Sequence, residues 1–482
     1  MTVIDKAIKQ GAWLALFKFI TQCVSWTSTI IVARLLVPED YGLMDMATLL
    51  TGYAALFSEL GLGAAVVQRP DSSQEELSSL FWFTCIVSLV FLTICFILAH
   101  PTALIFNEPR VIPLTQTVSV IFILNGLAIV PSSLMRKKLN FKNVGFIELT
   151  AGLTSCGSMV IIAFYGGGVW TLLLGHIIRS FVKLILIFYI QKWSPKLYFN
   201  LSNVRPYINF GIFVSIARTF RYLFERSDIF FAGMFWSAGT LGFYSFAIIL
   251  AKIPTDKITS LIMQVSYSAF AELQNNKDEF KNIYLNINKI IAMIVLPLFV
   301  GGFLAGEELV KIVLDDKWLP IIFLFKMLCI SQIFLAISAI NNHVHNAQGR
   351  PGWNIWYNGS CALIMSVSFY FAVQHGLNAI LVPWLTVFPV LCVGFIIATL
   401  IKIEIGILEY LRKLSLPAVG TALMAGAVFL SQKIFFVSPY LSAKAWIILG
   451  VKMAVGGLSY IGFLFIFDRN FLKKNYRMLL KK

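Results

Sequence analysis

The sequence predicts an all-α integral membrane protein with about fourteen transmembrane helices, and three observations predict it. Of 482 residues, 58% are hydrophobic and only 13% charged, where a soluble domain carries about 25% charged residues. Mean hydropathy is +0.81. Apolar runs of about 20 residues, the length that crosses roughly 30 Å of hydrocarbon, recur from one end of the chain to the other.

Taken in order, the first span lies near 13–36. It is too long for a cleavable signal peptide and no small-residue cleavage site follows it, so it reads as a signal anchor. One of its faces carries Lys18, Thr21, Ser25 and Ser28. The short loop "ARLLVPEDYG" ends in Gly42 and leads into an apolar second span near 42–67, which contains Glu59. Spans near 79–99 and 113–134 follow, then the basic run "RKKLNFK" at 136–142, then spans near 146–165 and 169–190. His176, Arg179 and Lys183 mark one edge of the sixth span, where packing or snorkelling explains them as well as cavity lining does.

The seventh span, near 207–235, is charged, and the eighth, near 241–266, carries Lys252, Asp256 and Lys257 toward the cytoplasmic interface. Six more lie near 289–306, 319–342, 355–374, 378–401, 415–436 and 445–467. Lys326 in the tenth span has the same two readings as Lys183. Glu307, Glu308, Asp315 and Asp316, near 306–318, read as a solvated loop. The longest loops lie near 191–206 and 267–288, so no extramembrane domain is expected and the chemistry belongs to the spans or their mouths.

A net charge of +16 raises the question of nucleic acid. Its distribution answers that question, because the cations alternate with topology. Lys6, Lys9, the run at 136–142, Lys192, Lys196, Arg205, Lys277, Lys281, Lys289, Arg412, Lys413 and the tail from Arg469 to Lys482 all fall on one side of an even number of spans. The opposite loops hold only Arg110, Lys311, Lys317 and Lys444. This asymmetry predicts a multi-pass protein with both termini in the cytoplasm and no nucleic-acid partner. The seven cysteines fall within spans without metal or redox spacing, and read as small apolar packing residues.

Sliding the chain by 200 residues aligns Gly11 with Gly211, Gly42 with Gly242, Ala47 with Ala247 and Leu50 with Leu250. Six spans per half give both halves one orientation, so the expected arrangement is a parallel repeat about an axis along the membrane normal. The expected organisation is a lobe over 1–200, a second over 201–402, and two extra spans with a basic tail over 403–482.

The stretch "GIFVSIARTFRYLFERSDIFFAG" at 211–233 places Arg218, Arg221, Glu225, Arg226 and Asp228 inside one apparent span. At 100° per residue, Arg218, Arg221, Glu225 and Asp228 share roughly an 80° arc, and Arg226 falls outside it. A charge at the bilayer centre costs on the order of 2.5–3.5 kcal/mol, so the stripe must face a bundle interior or a water-filled cavity. Arg221 and Glu225 at i and i+4 can neutralise each other, but Arg218 has no acid at either helical neighbour. Subtracting 200 sets Lys18 opposite Arg218, Thr21 opposite Arg221, Ser25 opposite Glu225 and Ser28 opposite Asp228. Two such faces meeting across a central cleft would favour an anion, and Arg forks suit phosphate oxygens. Glu225, Asp228 and Glu59 would temper that potential, or could carry H+ or Na+ as a coupling ion.

The stretches "ARLLVPEDYGLMDMA" (33–47), "LMRKKLNFKNVGFIEL" (134–149), "SDIFFAGMFWSAGTLGFYSFAIILAKIP" (227–254) and "NAQGRPGWNIW" (346–356) carry a resemblance over nearly the whole chain. It resembles the Wzx-type polysaccharide exporters of the multidrug/oligosaccharidyl-lipid/polysaccharide flippase superfamily, in the branch that includes colanic acid exporters. The resemblance implies two six-helix lobes around a central cavity and alternating access in a bacterial inner membrane. It further implies an undecaprenyl-diphosphate-linked oligosaccharide as substrate, with polysaccharide polymerase and chain-length machinery as partners. Members carry basic residues in the cavity, which suits Arg218 and Arg221; by the internal repeat Lys18 joins them, with Thr21, Ser25 and Ser28 as polar lining. In related peptidoglycan-precursor flippases two extra helices form a groove for the lipid tail, as the last two spans here could.

A small-molecule antiporter of the same superfamily is the nearest competing reading, but its site should be acidic and aromatic rather than arginine-bearing. A membrane glycosyltransferase or polymerase would need a sizeable outer loop with catalytic groups. No enzyme activity, resident cofactor or metal is expected.

Overall fold

The computed structural model describes residues 3–59, 62–69, 72–273, 276–350, 352–435 and 445–469; over 3–12, 208–217, 260–269 and a few single positions it describes the backbone only. Lys6, Lys9 and Glu59 are therefore described without their side chains, while Lys444 and the tail cations beyond Arg469 lie outside the described residues. The described residues form helices joined by short turns, with no strand among them. Among the described residues, eleven stretches are long and apolar enough to cross a membrane. Three further helices, of 22, 35 and 22 residues, are as long but more polar. The chain is thus a multi-pass, all-α membrane protein, as its hydropathy predicts.

The chain divides into two compact units, Met1–Gly242 and Phe243–Lys482. The first holds α1 (Val3–Leu35), α2 (Pro38–Glu59), α3 (Leu62–Gln68), α4 (Gln74–Phe106), α5 (Val111–Val118), α6 (Ile121–Lys137), α7 (Phe141–Phe164), α8 (Val169–Gln191), α9 (Leu201–Phe235) and the first turn of α10 (Ala238–Glu272). Local chemistry sets the ends. Pro38 opens α2 with a fixed φ, and Glu39 and Asp40 lie in its first turn, where the helix dipole favours acids. A capping box opens α4, in which Ser73 Oγ accepts from Glu76 N–H and Glu76 Oε2 accepts from Ser73 N–H, both at 3.1 Å. Asn107, at φ 51°, ends that helix in the left-handed region. Arg110 then ties the turn to α2, reaching Glu108 at 2.8 Å and Glu39 at 2.6 Å. Its hydrogen bond holds the Glu108 carboxyl below the usual carboxylate range.

The second unit holds the rest of α10, then α11 (Lys277–Val313), α12 (Ile321–Ala347), α13 (Gly352–Val373), α14 (Phe388–Lys402), α15 (Ile407–Phe435) and α16 (Ala445–Phe467). Trp318 is fully buried against Phe246, with ring centroids 4.3 Å apart, and Trp384 Nε1 donates to Tyr244 Oη at 2.8 Å. Both α15 and α16 rest on α11. Tyr410 Oη donates to Asn288 Oδ1 at 3.2 Å, and Tyr284 Oη donates to Asn341 Oδ1 at 2.8 Å, so buried polar bonds link α15 to α11 and α11 to α12.

The span expected near 113–134 stands as Val111–Lys137, with a turn at 119–120 that divides it into α5 and α6. Several expectations need correction. The long loop expected near 267–288 is mostly helix, because α10 runs on to Glu272 and α11 starts at Lys277. The acidic stretch after residue 306 is likewise helical as far as Val313. Within it Glu308 is no solvated loop residue: Lys452 of α16 donates to both its carboxylate oxygens at 2.8 Å. Of the cysteines read as packing residues, five are buried, Cys85 is half-buried and Cys23 is exposed. Arg179 and Lys183 converge on Glu148 of α7, at 3.3 Å and 2.7 Å, which assigns them a partner the sequence reading left open.

Candidate functional site

The charged stripe lies on α9, whose first turn is capped by Asn200 Oδ1 accepting from Ser202 N–H at 2.9 Å. The helix leans on α2, α3 and α4. Phe224, Ile229 and Ala232 are buried, and Phe230 packs on Phe106 of α4. Tyr222 fixes the rotation of α9 against α2, because its hydroxyl donates to Leu49 O at 2.7 Å. That rotation leaves Arg218 and Arg221 exposed and Glu225 half-buried along one flank of the α2–α9 seam.

Arg221 Nε donates to Glu225 Oε1 at 2.9 Å, so the i, i+4 pairing that the sequence allows is made. The Arg221 side chain remains 68% exposed beside that pairing. Asp228 shares the arc but not the exposure. It is 2% exposed, and one of its oxygens accepts from the Ile229 N–H at 2.7 Å. Arg226, outside the arc, points across the seam to Asp45 Oδ1 of α2 at 3.4 Å. Sequence reasoning passed over Asp45, although it is the only carboxylate between residues 41 and 58.

A cation so placed against a carboxylate on another helix is a register element. A double-mutant cycle on Arg226→Met and Asp45→Asn, read by thermal unfolding in detergent, is expected to give a coupling of about 0.5–1 kcal/mol, the range of partly exposed pairs. Zero coupling would mean that the pair does not hold α9 on α2.

On α1 the four matching residues do not share one environment. Lys18 is exposed, while Ser25 is half-buried. Thr21 Oγ1 donates to Phe17 O of its own helix at 2.8 Å, and its methyl group lies over Gly152 of α7, where a Cβ would come within 2.7 Å. Ser28 is buried, and its hydroxyl donates to Cys156 O of α7 at 3.4 Å. The polar stripe of α1 is thus partly spent on packing against α7. The side chain of Glu59 lies outside the described residues. Among the described residues no cluster of His, Cys, Asp or Glu has the arrangement of a metal site.

The arrangement sets cationic side chains on one flank of α9, and guanidinium forks suit an anion.

Comparison with known proteins gives the family and the fold. The chain is 23% identical over 468 residues to the teichuronic acid biosynthesis protein TuaB of Bacillus subtilis (strain 168), covering 96% of each. It is 24% identical to the lipopolysaccharide biosynthesis protein WzxC of Escherichia coli (strain K12), covering 81% of this chain and 83% of that one. Its fold is that of the lipid II flippase MurJ in an inward closed conformation, with a TM-score of 0.79 at 12% identity over 95% of this chain and 99% of the other. Residues 31–323 match the family model described as polysaccharide biosynthesis protein. The chain belongs to the polysaccharide biosynthesis protein family.

Proposed function

We propose that this protein flips an undecaprenyl-diphosphate-linked oligosaccharide, an exopolysaccharide or O-antigen repeat unit, across the bacterial inner membrane. The observation that carries the reading is the exposed Arg218 and Arg221 pair on α9, held in register by Tyr222 and Asp45 within a multi-pass helical protein. A diphosphate glycan cannot enter hydrocarbon, because its phosphates and hydroxyls would lose water without replacement. Fixed arginines in a hydrated cleft replace part of that hydration while the prenyl chain stays in the lipid. Relatives named for teichuronic acid and lipopolysaccharide biosynthesis support a glycan as cargo. The fold shared with a lipid II flippase supports movement between leaflets.

In this reading Lys18, Arg218 and Arg221 meet the diphosphate, and Thr21 and Ser25 add polar surface. Glu59, Glu225 and Asp228 are the acids available to H+ or Na+ coupling. Both termini are cytoplasmic, the lobes run 1–200 and 201–402 with 403–482 appended, and the flipped glycan passes to polymerase and chain-length machinery.

The test is the leaflet distribution of undecaprenyl-diphosphate-linked glycan in cells depleted of the protein, then complemented with wild type or with Arg221→Ala. Glycan is expected to accumulate on the cytoplasmic side and to be relieved by wild type alone, with Arg221→Ala inserted normally but inactive. An unchanged distribution on depletion would refute the reading and turn attention to small-molecule efflux.

A further inference from the structure

Setting aside Asp468 Oδ2, which lies 2.6 Å from Lys289 Nζ, seven buried side-chain polar atoms have no hydrogen-bond partner among the described residues, and four of them lie in one corner of the second unit, where α12 ends and α13 begins. They are Asn342 Oδ1, His345 Nδ1, Gln348 Oε1 and Asn354 Oδ1. Buried polar atoms nearly always find partners, so four left over together mark a place built for a group from elsewhere.

All four are acceptors. Thr399 Oγ1 donates to Phe395 O at 2.8 Å, so it must accept from His345 Nε2, 3.0 Å away. The His345 proton therefore sits on Nε2, and Nδ1 is a bare lone pair. Asn354 Nδ2 donates to Asn342 O at 2.8 Å and to Asn346 Oδ1 at 2.9 Å, which fixes its amide and leaves Oδ1 over.

Acceptors call for donors, and charge decides which kind. No Asp or Glu occurs between Asp316 and Glu404, and the charged groups that bear on His345 are Arg350 and Lys402. A metal cation is thereby disfavoured, and clustered neutral donors fit. Sugar hydroxyls and acetamido N–H groups are such donors. Aromatic faces for the apolar side of a pyranose stand beside them. Trp353 stacks on the fully buried His345 with ring planes 8° apart yet remains exposed, and Trp356 is 79% exposed.

We propose that the α12–α13 corner is a glycan-contact site that reads the sugar of the lipid-linked cargo, a proposal that rests on the flippase reading above. Trp353 covers His345 in this structure, and its displacement admits the sugar to the acceptors. On the proposed topology the corner lies at the cytoplasmic mouth, where the cargo is loaded.

The test uses the full-length protein in liposomes with two probes: the lipid-linked repeat unit extracted from cells that make it, and glycan-free undecaprenyl diphosphate as competitor. Gln348→Met removes an acceptor at nearly constant shape, and Trp356→Leu removes an exposed ring that the fold does not use. Each is expected to raise the half-saturating concentration of the glycan-bearing lipid about five- to tenfold, the scale of one lost hydrogen bond or stacking contact. Inhibition by the glycan-free competitor and the thermal midpoint should stay at wild-type values. Unchanged glycan transport in both variants overturns the proposal, whether the Gln348→Met midpoint rises, as for a dry corner, or falls, as for an ordered water only. A wild-type protein that moves no lipid-linked glycan would instead sink the flippase reading. Glycan binding to the detergent-solubilised protein would then decide the corner by itself, with equal affinity in wild type and variants counting against it.

Discussion

Replacing Gly42 or Gly242 by valine is expected to lower the stability of the first unit by about 2–3 kcal/mol, the upper range for overpacking, and to abolish export. The reason is a reciprocal contact. The first turns of α2 and α10 cross so closely that a Cβ at Gly42 would overlap the carbonyl of Ala238, and one at Gly242 would overlap the carbonyl of Pro38. Both obstacles are backbone, so no side chain can swing away to make room, and the helices themselves must part. Small residues at helix crossings in membranes serve this close approach. Positions 38 and 238, like 42 and 242, stand 200 residues apart, the offset at which the two halves of the sequence align.

Because the two glycines serve one contact, their replacement should be strongly non-additive. Once valine at either position has pushed the helices apart, the second finds the space already open. Gly42→Val, Gly242→Val and the double variant are therefore expected to show similar thermal midpoints in detergent and similar loss of export. Additive losses would mean that the glycines act in separate places. Alanine at either position should give the same sign with a smaller shift, since its single Cβ meets the same carbonyl.

How far the site was legible in the sequence depends on what each feature needs. The helices needed only hydropathy, and α9 announced itself by charges in an apolar run. The choice between neutralisation and exposure for Arg221 needed the rotation of α9, which Tyr222 sets by reaching a backbone oxygen 173 residues away. No period in the sequence encodes that. Asp45 was visible as the single carboxylate between residues 41 and 58, but its partner lies 181 residues on. Ser28 stands on a polar stripe in the sequence, and its bond to a backbone oxygen of α7, 128 residues on, is likewise encoded by no period. The stretch 346–356 carries part of the resemblance, while the unmet acceptors of Gln348 and Asn354 within it, and of Asn342 and His345 before it, appear only once side chains are placed. Glu308 was misread because the apolar run ends before the helix does, so residues that look like loop stay on α11.

That misreading conceals a large single-residue electrostatic effect. Lys452 sits within α16, 6% exposed, and spends its three ammonium protons on both oxygens of Glu308 and on Leu304 O, each at 2.8 Å. Glu308 is 13% exposed. Lys452→Met would leave a carboxylate buried without its cation, which costs about 3–5 kcal/mol. For a unit of this size that lowers the thermal midpoint by roughly 10 °C. Adding Glu308→Leu to Lys452→Met is expected to restore most of the loss, because a buried pair replaced by apolar residues of similar volume is often neutral. The exposed i, i+4 pair Lys311–Glu307, on the same stretch of α11, is the control, and Lys311→Met should leave the midpoint where it is. If Lys452→Met and Lys311→Met behave alike, the Lys452 pair does not hold α16 on α11. If the double variant recovers stability but not export, then the position of α16 matters to transport beyond its attachment, as a groove for the lipid tail would require.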